Sequence, residues 1–416
     1  MKINSMLARF SAYGFFKNQR YFEPFLILFF RSKGLSFTEI GFLIGFRELA
    51  INLLEIPSGA IADLLGRRKS MMFSFTAYII SFLIFGFSGT AFWHLFLAML
   101  FFSTGEAFRT GTHKALIFTW LRINNRLEEK TKIYGYTRSW SKIGSAFSII
   151  IATYLMIAEH NYSVVFFYTL IPYVLGLVNF TFYPPELEGK VREKVNFKDV
   201  FSHVFNSIVL SVKRAGQRRL IIESMCFEGF FKATKDLIQP MIKSFAIMLP
   251  VLMVINKENR TPVVIGVVYF ILYIVSAVAS RKSHKISTLF GSDELGSKFI
   301  WKLAFLIFLL MAPFLYFRSY AWAIVLFIFL YILQNLWRPI LISRFDKFAT
   351  EKDGATVLSI ESQAKSFAAM IFAPIVGAMI DIVKSKGAGG EFWPIAALGA
   401  VVSLIMIVTG GKTVKT

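Results

Sequence analysis

The sequence predicts an all-α protein that crosses a lipid bilayer many times. Hydrophobic residues make up 56% of its 416 residues and charged residues only 17%, and the chain contains 47 phenylalanines. Apolar runs of roughly 20 residues, the length that crosses the hydrocarbon of a bilayer, recur along the whole chain. Lipid cannot satisfy exposed backbone groups, so such runs form helices or a closed barrel. These runs are longer than barrel strands and lack strict alternation, which favours helices.

Twelve apolar segments predict twelve transmembrane helices. They span residues 10–31, 38–62, 70–89, 91–121, 133–158, 162–183, 218–250, 261–281, 299–317, 320–344, 355–382 and 392–410. The stretch 184–217 opens with two prolines and many charges and continues as an amphipathic piece from Phe197 to Val212. It predicts a cytoplasmic linker with an interfacial helix. We therefore expect an N-terminal six-helix bundle over 1–183, the linker over 184–217, and a C-terminal six-helix bundle over 218–416.

The net charge of +21 has its source in the connections between the apolar segments. Lys and Arg crowd one alternating set of loops, such as the run Arg67-Arg68-Lys69 and the 184–217 linker. This set belongs in the cytoplasm, which places both termini there and argues against a nucleic-acid partner. The compact loops are typical of a multi-pass protein of the bacterial cytoplasmic (inner) membrane. A single cysteine, Cys226, excludes an internal disulfide framework and a cysteine-built metal site.

Short sequence echoes link the two predicted halves. The echoing segments are Arg20–Pro24 with Asp236–Pro240, Gly105–Arg109 with Gln334–Arg338, and Ser139–Lys142 with Ser362–Lys365. Each match is short, but all three occur at equivalent places. Together they predict a duplicated unit, as in secondary transporters.

The loop after the second predicted helix carries a family resemblance. It reads Glu-Ile-Pro-Ser-Gly-Ala-Ile-Ala-Asp-Leu-Leu-Gly-Arg-Arg-Lys over residues 55–69. This resembles the signature loop of the major facilitator superfamily, Gly-x-x-x-Asp-x-x-Gly-Arg-Lys/Arg, and with twelve helices and a central linker the resemblance covers essentially the whole chain. It implies two six-helix bundles that expose a site alternately to each side, with this loop as a cytoplasmic latch. A purely topological anchor is the alternative. The expected gate residues are Gly59, Asp63, Gly66, Arg67, Arg68 and Arg138.

Ionisable side chains inside membrane helices are costly and mark polar pathways. Here they concentrate in predicted helices 1, 2, 4, 5, 7, 10 and 11, and helices 3, 6, 9 and 12 have essentially none away from their ends. The resemblance implies that helices 1, 4, 7 and 10 line a cavity and that 3, 6, 9 and 12 lie outside, which agrees with this distribution. The candidate solute-binding residues are Arg109, Lys142, Arg338, Lys235, Glu23, Gln239 and Asn335. The excess of cations suits an anion, although these charges can instead pair and hold helices together.

Carboxylates and a histidine in the same helices are candidates for proton coupling. When a solute displaces the cation beside a buried carboxyl group, the affinity of that carboxyl group for a proton changes. These candidates are Glu55, Glu106, Glu228 and His113. Glu361 and Lys365, four residues apart on one helix face, are expected to form a structural pair.

The sequence favours a secondary active transporter, a symporter or antiporter, that moves a small charged solute. We expect an organic anion or zwitterion, carried by alternating access with proton coupling. An exporter of drugs or amphipathic compounds is one alternative. The resemblance implies that many drug–proton antiporters carry a Gly-Pro pair in helix 5, and this sequence lacks that pair. A non-transporting receptor or a lipid-handling membrane protein is an alternative of another class. No enzyme motif, phosphate-cradling loop or metal-ligand spacing occurs, so we expect no catalytic residues, cofactor or metal. We also expect a monomer. Its partners would be the solute, protons or another coupling ion, and the bilayer.

Overall fold

A computed structural model of the chain describes residues 3–188, 215–347 and 354–409. Throughout these ranges the regular structure is helical, without strands, which confirms the predicted all-α class. Seven of the described helices are long and apolar enough to cross a membrane. They are Arg67–Phe87, Leu127–Glu159, Val164–Thr181, Lys257–Lys282, Asp293–Tyr316, Tyr320–Asp346 and Ser359–Lys386. The total of twelve stays a prediction, and the expected interfacial helix Phe197–Val212 falls outside the described residues.

The chain divides into two compact units, of which the first comprises Met1–Lys33 and Leu49–Phe201 and the second Gly34–Glu48 and Ser202–Thr416. The third helix is therefore shared, with its opening turns in the second unit. Up to residue 188 the helices are α1 Ile3–Phe16, α2 Leu26–Ser32, α3 Phe37–Leu65, α4 Arg67–Phe87, α5 Phe92–Arg109, α6 Thr112–Ile123, α7 Lys130–Glu159 and α8 Val164–Thr181. Short 3₁₀ turns occur at Glu23–Phe25, Leu127–Glu129 and Pro185–Glu188.

From residue 215 the helices belong to the second unit. They are α9 Ala215–Ser224, α10 Phe230–Thr234, α11 Ile238–Met248, α12 Lys257–Lys282, α13 His284–Phe290, α14 Asp293–Tyr316, α15 Tyr320–Asp346, α16 Gly354–Lys386 and α17 Trp393–Thr409. A π turn at Met225–Gly229 separates α9 from α10, and 3₁₀ turns follow at Lys235–Leu237 and Pro250–Val254. The proposed boundary through 184–217 stays a prediction.

Three predicted helices are interrupted rather than continuous. The segment 10–31 breaks between α1 and α2, where Pro24 sits in a 3₁₀ turn. The segment 218–250 breaks at the π turn and at a 3₁₀ turn, after which Pro240 lies in the first turn of α11. Proline lacks an N–H donor, which the first turn of a helix does not need, and each of the two echoing sequences lies at such a break. The segment 91–121 breaks at Gly111, whose φ of 78° favours glycine.

Small residues set the close helix crossings inside each unit. In the first unit, a Cβ on Gly144 of α7 would lie 2.7 Å from the carbonyl oxygen of Phe15. In the second unit, a Cβ on Gly41 of α3 would lie 2.4 Å from the carbonyl oxygen of Ala373 in α16. Larger side chains would force these helices apart, so glycine makes the contacts possible.

A carboxylate fixes the start of α3 in the second unit. Asp381 of α16 accepts hydrogen bonds from the backbone N–H groups of Phe37 and Thr38, at 3.1 and 2.7 Å, and from the Thr38 hydroxyl at 2.7 Å. The first N–H groups of a helix have no partner within the helix, so this carboxylate acts as a cap supplied by another helix.

Candidate functional site

A cavity of about 390 Å³ opens inside the first unit and is lined by an unusual set of charges. Among the residues that the structure describes, five basic side chains line it and no carboxylate does. These side chains are Lys17, Arg109, Lys114, Arg138 and Lys142. We call this cavity the basic pocket.

Helix ends bring the basic pocket together. Lys17 directly follows the end of α1, and Arg109 is the last residue of α5. The break at Gly111 then starts α6, which carries Lys114. Arg138 and Lys142 are four residues apart and so share one face of α7. The cations therefore reach the cavity from three separate parts of the chain.

One carboxylate holds two arginines at the edge of the basic pocket. Glu106 of α5 pairs through one oxygen with Arg20, and its other oxygen lies 2.5 Å from Arg109 Nη2. Arg20 Nε also donates to the Tyr173 hydroxyl and Arg109 Nε to the Tyr78 hydroxyl, each at 3.2 Å. Side-chain exposure is only 13% for Glu106 and 18% for each arginine, so the triad is largely shielded from water.

The other cations of the basic pocket lack such neutralisation. Among the described residues, no carboxylate lies within ion-pair distance of Lys17, Lys114, Arg138 or Lys142. Lys114, Arg138 and Lys142 are exposed, and Lys17 is half-buried. This concentration of positive charge makes the basic pocket the candidate binding site of the first unit.

His113 also lines the basic pocket, but its ring is packed among aromatic side chains. The ring stacks on Tyr13 at a centroid distance of 3.6 Å, and Nε2 lies 3.4 Å from the Tyr183 hydroxyl. Such packing suits a structural histidine, and its role in proton coupling stays a prediction. Glu23 lies in the 3₁₀ turn before α2 and Glu55 in α3, and both are half-buried.

In the second unit, Glu361 joins an arginine and a lysine. Arg338 donates to both oxygens of Glu361, at 2.5 and 3.0 Å, and Lys365 Nζ lies 3.7 Å away. The Ser224 hydroxyl donates to the same carboxylate at 2.7 Å. Glu361 thus lies within ion-pair distance of Lys365, four residues further along the helix. It also accepts both hydrogen bonds of the Arg338 guanidinium group.

A second carboxylate, Glu228, is held less tightly. It lies in the π turn and accepts from the Gln334 amide at 3.3 and 3.1 Å. Its distance to Arg338 Nη1 is 3.9 Å, at the outer limit of an ion pair. Its side chain is 8% exposed. Glu228 is therefore buried with a neutral hydrogen-bond donor as its nearest partner.

A third buried carboxylate, Glu48, is neutralised within the second unit. Its side chain is 1% exposed and pairs with Lys232 of α10 and with Arg47, whose Nη2 lies 3.1 Å away. Lys232 also donates to the Ser366 hydroxyl at 3.0 Å. In this unit the buried carboxylates Glu48 and Glu361 are each paired with two cations. The basic pocket of the first unit differs, because most of its cations lack a carboxylate partner among the described residues.

The remaining candidates of the second unit make local contacts. Lys235 Nζ donates to the carboxylate of the next residue at 2.9 Å. The fully buried Gln239 donates to the Tyr269 hydroxyl at 3.0 Å. Asn335 donates to the backbone carbonyl four residues earlier at 2.9 Å. The binding roles of all three stay predictions.

The signature loop is held by contacts within the first unit. Gly66 has a φ of 95° and separates α3 from α4. Arg67 donates to the Thr119 hydroxyl at 2.7 Å, and Arg68 Nε lies 3.2 Å from Glu188 Oε1. The side chain of Asp63 falls outside the described part of the chain. Gly59 has no described atom near its Cβ position, and Arg138, expected at the gate, lines the basic pocket.

Sequence reasoning did not select Lys17 or Lys114 as binding residues. Lys17 lies inside what reads as one membrane segment, 10–31, and an ionisable group at that position was a usable signal. Lys114 lies next to His113 in a segment already rich in charges. Their convergence depends on the breaks after α1 and α5, which the apolar pattern does not reveal.

Comparison with known proteins agrees with this architecture. The family model described as Major Facilitator Superfamily matches residues 6–374. The fold is similar to the crystal structure of the nucleoside transporter NupG, with a TM-score of 0.79, 13% identity and coverage of 99% of this chain and 100% of the other. It is also similar to a POT family transporter in complex with a thioalcohol-conjugated peptide, with a TM-score of 0.73, 15% identity and coverage of 99% and 97%. No curated protein matches the sequence significantly. The match to the family model over most of the chain shows that this protein belongs to the Major Facilitator Superfamily.

Proposed function

We propose that this membrane transporter moves a small organic anion or zwitterion by alternating access and binds it in the basic pocket. Its membership of the superfamily makes it a transporter and not an enzyme. The observation that carries the choice of solute is the lining of the cavity, which in the described part of the chain comprises five cations and no carboxylate. Arg109 supplies a planar fork for a carboxylate or phosphate, and Lys142 supplies a mobile point charge.

Coulomb's law explains why the first unit is the better anion site. A unit charge 4 Å from a cation gains about 4 kcal/mol at an effective dielectric constant of 20, before desolvation. In the second unit the buried carboxylates Glu48 and Glu361 already form ion pairs with the neighbouring cations, so an arriving anion would gain less. In the basic pocket, four of the five cations have no such partner among the residues described, so an arriving anion gains this attraction.

Flux through reconstituted vesicles tests the proposal. Uptake and efflux are measured with and without a pH gradient for organic anions, amino acids and organic cations. We expect gradient-dependent flux of at least one anion or zwitterion, and a loss of affinity in Lys142→Gln. Lys257→Gln, which removes an exposed lysine at the start of α12, is the matched control and should leave transport unchanged. If no charged compound shows gradient-dependent flux, the proposal is wrong.

Glu228 is our choice for the proton-coupling group. It is buried, its nearest partner is an amide, and Arg338 prefers the carboxylate of Glu361. Glu106, by contrast, is held between two arginines. Glu228→Gln should therefore abolish accumulation driven by a pH gradient while solute exchange between the two sides continues. Unchanged pH-driven accumulation would remove Glu228 from this role.

The basic loops support a topology with both termini in the cytoplasm, and the compact loops support a location in a bacterial inner membrane. Labelling of single cysteines placed near each terminus, in intact and in permeabilised cells, tests this orientation. An exporter of drugs or other amphipathic compounds is the competing transport function. A chiefly aromatic and acidic cavity would favour it, and the five cations of the basic pocket argue against it.

A further inference from the structure

We propose that the solute of the basic pocket carries at least two negative charges, as a phosphate monoester or a dicarboxylate does. This inference rests on the proposed function and narrows its substrate class. It depends on the charge balance of the pocket and on how its cations are distributed around the cavity.

The charge balance is the first argument. Of the five cations of the basic pocket, only Arg109 has a carboxylate partner among the described residues, and it shares that carboxylate with Arg20. Four cations are left for the solute. A monoanion would leave most of this positive charge uncompensated. A second and a third negative charge each find further cations within the same cavity.

The distribution of the cations is the second argument. Lys17 approaches from the end of α1, Lys114 from α6, and Arg138 with Lys142 from α7. One carboxylate group presents only two oxygens to cations that come from three elements. Two carboxylates, or the three terminal oxygens of a phosphoryl group, present at least one oxygen for each element. The Ser141 hydroxyl on the same stretch of α7 also lines the cavity and adds a neutral donor.

The size of the cavity is the third argument. Its volume of about 390 Å³ lies in the range of pockets that hold small organic molecules. Tyr13 and Tyr134 line it together with the cations. The site therefore has room for an organic body as well as for its charged groups, so a bare inorganic ion does not fill it.

The same features imply a response that binding experiments can detect. Like charges held in one cavity repel each other, and this repulsion destabilises the empty site. A multivalent anion relieves the repulsion and stabilises the folded protein by mass action. The full-length purified transporter should therefore unfold at a higher temperature with multivalent anions than with monovalent ones.

The test compares matched anions at constant ionic strength. Succinate is compared with its monomethyl ester, a phosphate monoester with its methyl diester, and inorganic phosphate and pyrophosphate with chloride, by thermal unfolding and calorimetric titration. We expect the multivalent member of at least one organic pair to bind about 100-fold more tightly, since each added charge meets further unpaired cations. Binding of either dianion should weaken below about pH 6, where it takes up a proton and loses its second charge. Tight binding of succinate and not of the phosphate monoester identifies a dicarboxylate site, and the reverse result identifies a phosphate site.

Variants tie the preference to the pocket. Lys17→Gln and Lys142→Gln should each reduce affinity for the multivalent anion by about tenfold or more and affect the monovalent partner less. Lys257→Gln should change neither, and unfolding temperatures without ligand confirm that each variant is folded. If anions are transported and monovalent members bind as tightly as multivalent ones, this inference falls while the proposed function stands. If no anion binds and none is transported, both fall.

Discussion

Removal of the Glu106 carboxylate tests the central electrostatic feature of the first unit. In Glu106→Gln, Arg20 and Arg109 lose the anion that they share, although each keeps its tyrosine hydroxyl. The three side chains are 13–18% exposed, so water replaces the lost charge poorly. Breaking a buried ion pair by removal of one partner costs about 3–5 kcal/mol. We expect a loss of this size in the free energy of unfolding.

The measurement is reversible unfolding in mixed micelles with increasing amounts of a denaturing detergent. The double variant Glu106→Gln with Arg20→Met removes one of the two stranded guanidinium groups, so it should recover part of the loss. Recovery in this double-mutant cycle identifies the cause as uncompensated charge and not as a packing defect. The matched control is Glu129→Gln, because the pair of Glu129 with Arg126 lies nearer to water, and its loss should be much smaller. A loss below about 1 kcal/mol in Glu106→Gln, or no recovery in the double variant, would refute the reasoning.

Three further substitutions test how the fold positions these sites. Gly41→Ala should destabilise the second unit, because the new Cβ would meet the carbonyl oxygen of Ala373, while Gly135→Ala in open space on α7 should be neutral in the same unfolding assay. Asp381→Ala should cost about 0.5–2 kcal/mol, since the first N–H groups of α3 lose their cap, and hydrogen exchange should rise selectively at those amides. Gly66→Ala should lower stability and transport together, because φ is 95° and the Cβ would meet the Glu188 carboxylate. Wild-type flux in Gly66→Ala would contradict a structural need for glycine there.

The sequence by itself determined the fold class and the family. Apolar runs of membrane length leave the backbone no alternative to helices, because only intra-helix hydrogen bonds satisfy it in lipid. The signature loop over residues 55–69 identified the superfamily, and the family model confirmed it. The sequence also marked Arg109, Lys142 and Glu361 as polar groups inside membrane helices, since such groups are rare enough to stand out. The four-residue spacing further predicted the pair of Glu361 with Lys365, which the structure contains.

Only the tertiary structure decided which charges neutralise each other. Arg338 and Arg109 look equivalent in sequence, yet Arg338 is bound on both its terminal nitrogens by Glu361 from another helix, and Arg109 shares one carboxylate with Arg20. Partners 86 residues apart in the chain carry no local signal, because helix packing and not spacing sets their distance. The breaks after α1 and α5 are equally hidden, since hydropathy averages over a turn. Those breaks place Lys17 and Lys114 beside Arg138 and Lys142, and so create the basic pocket.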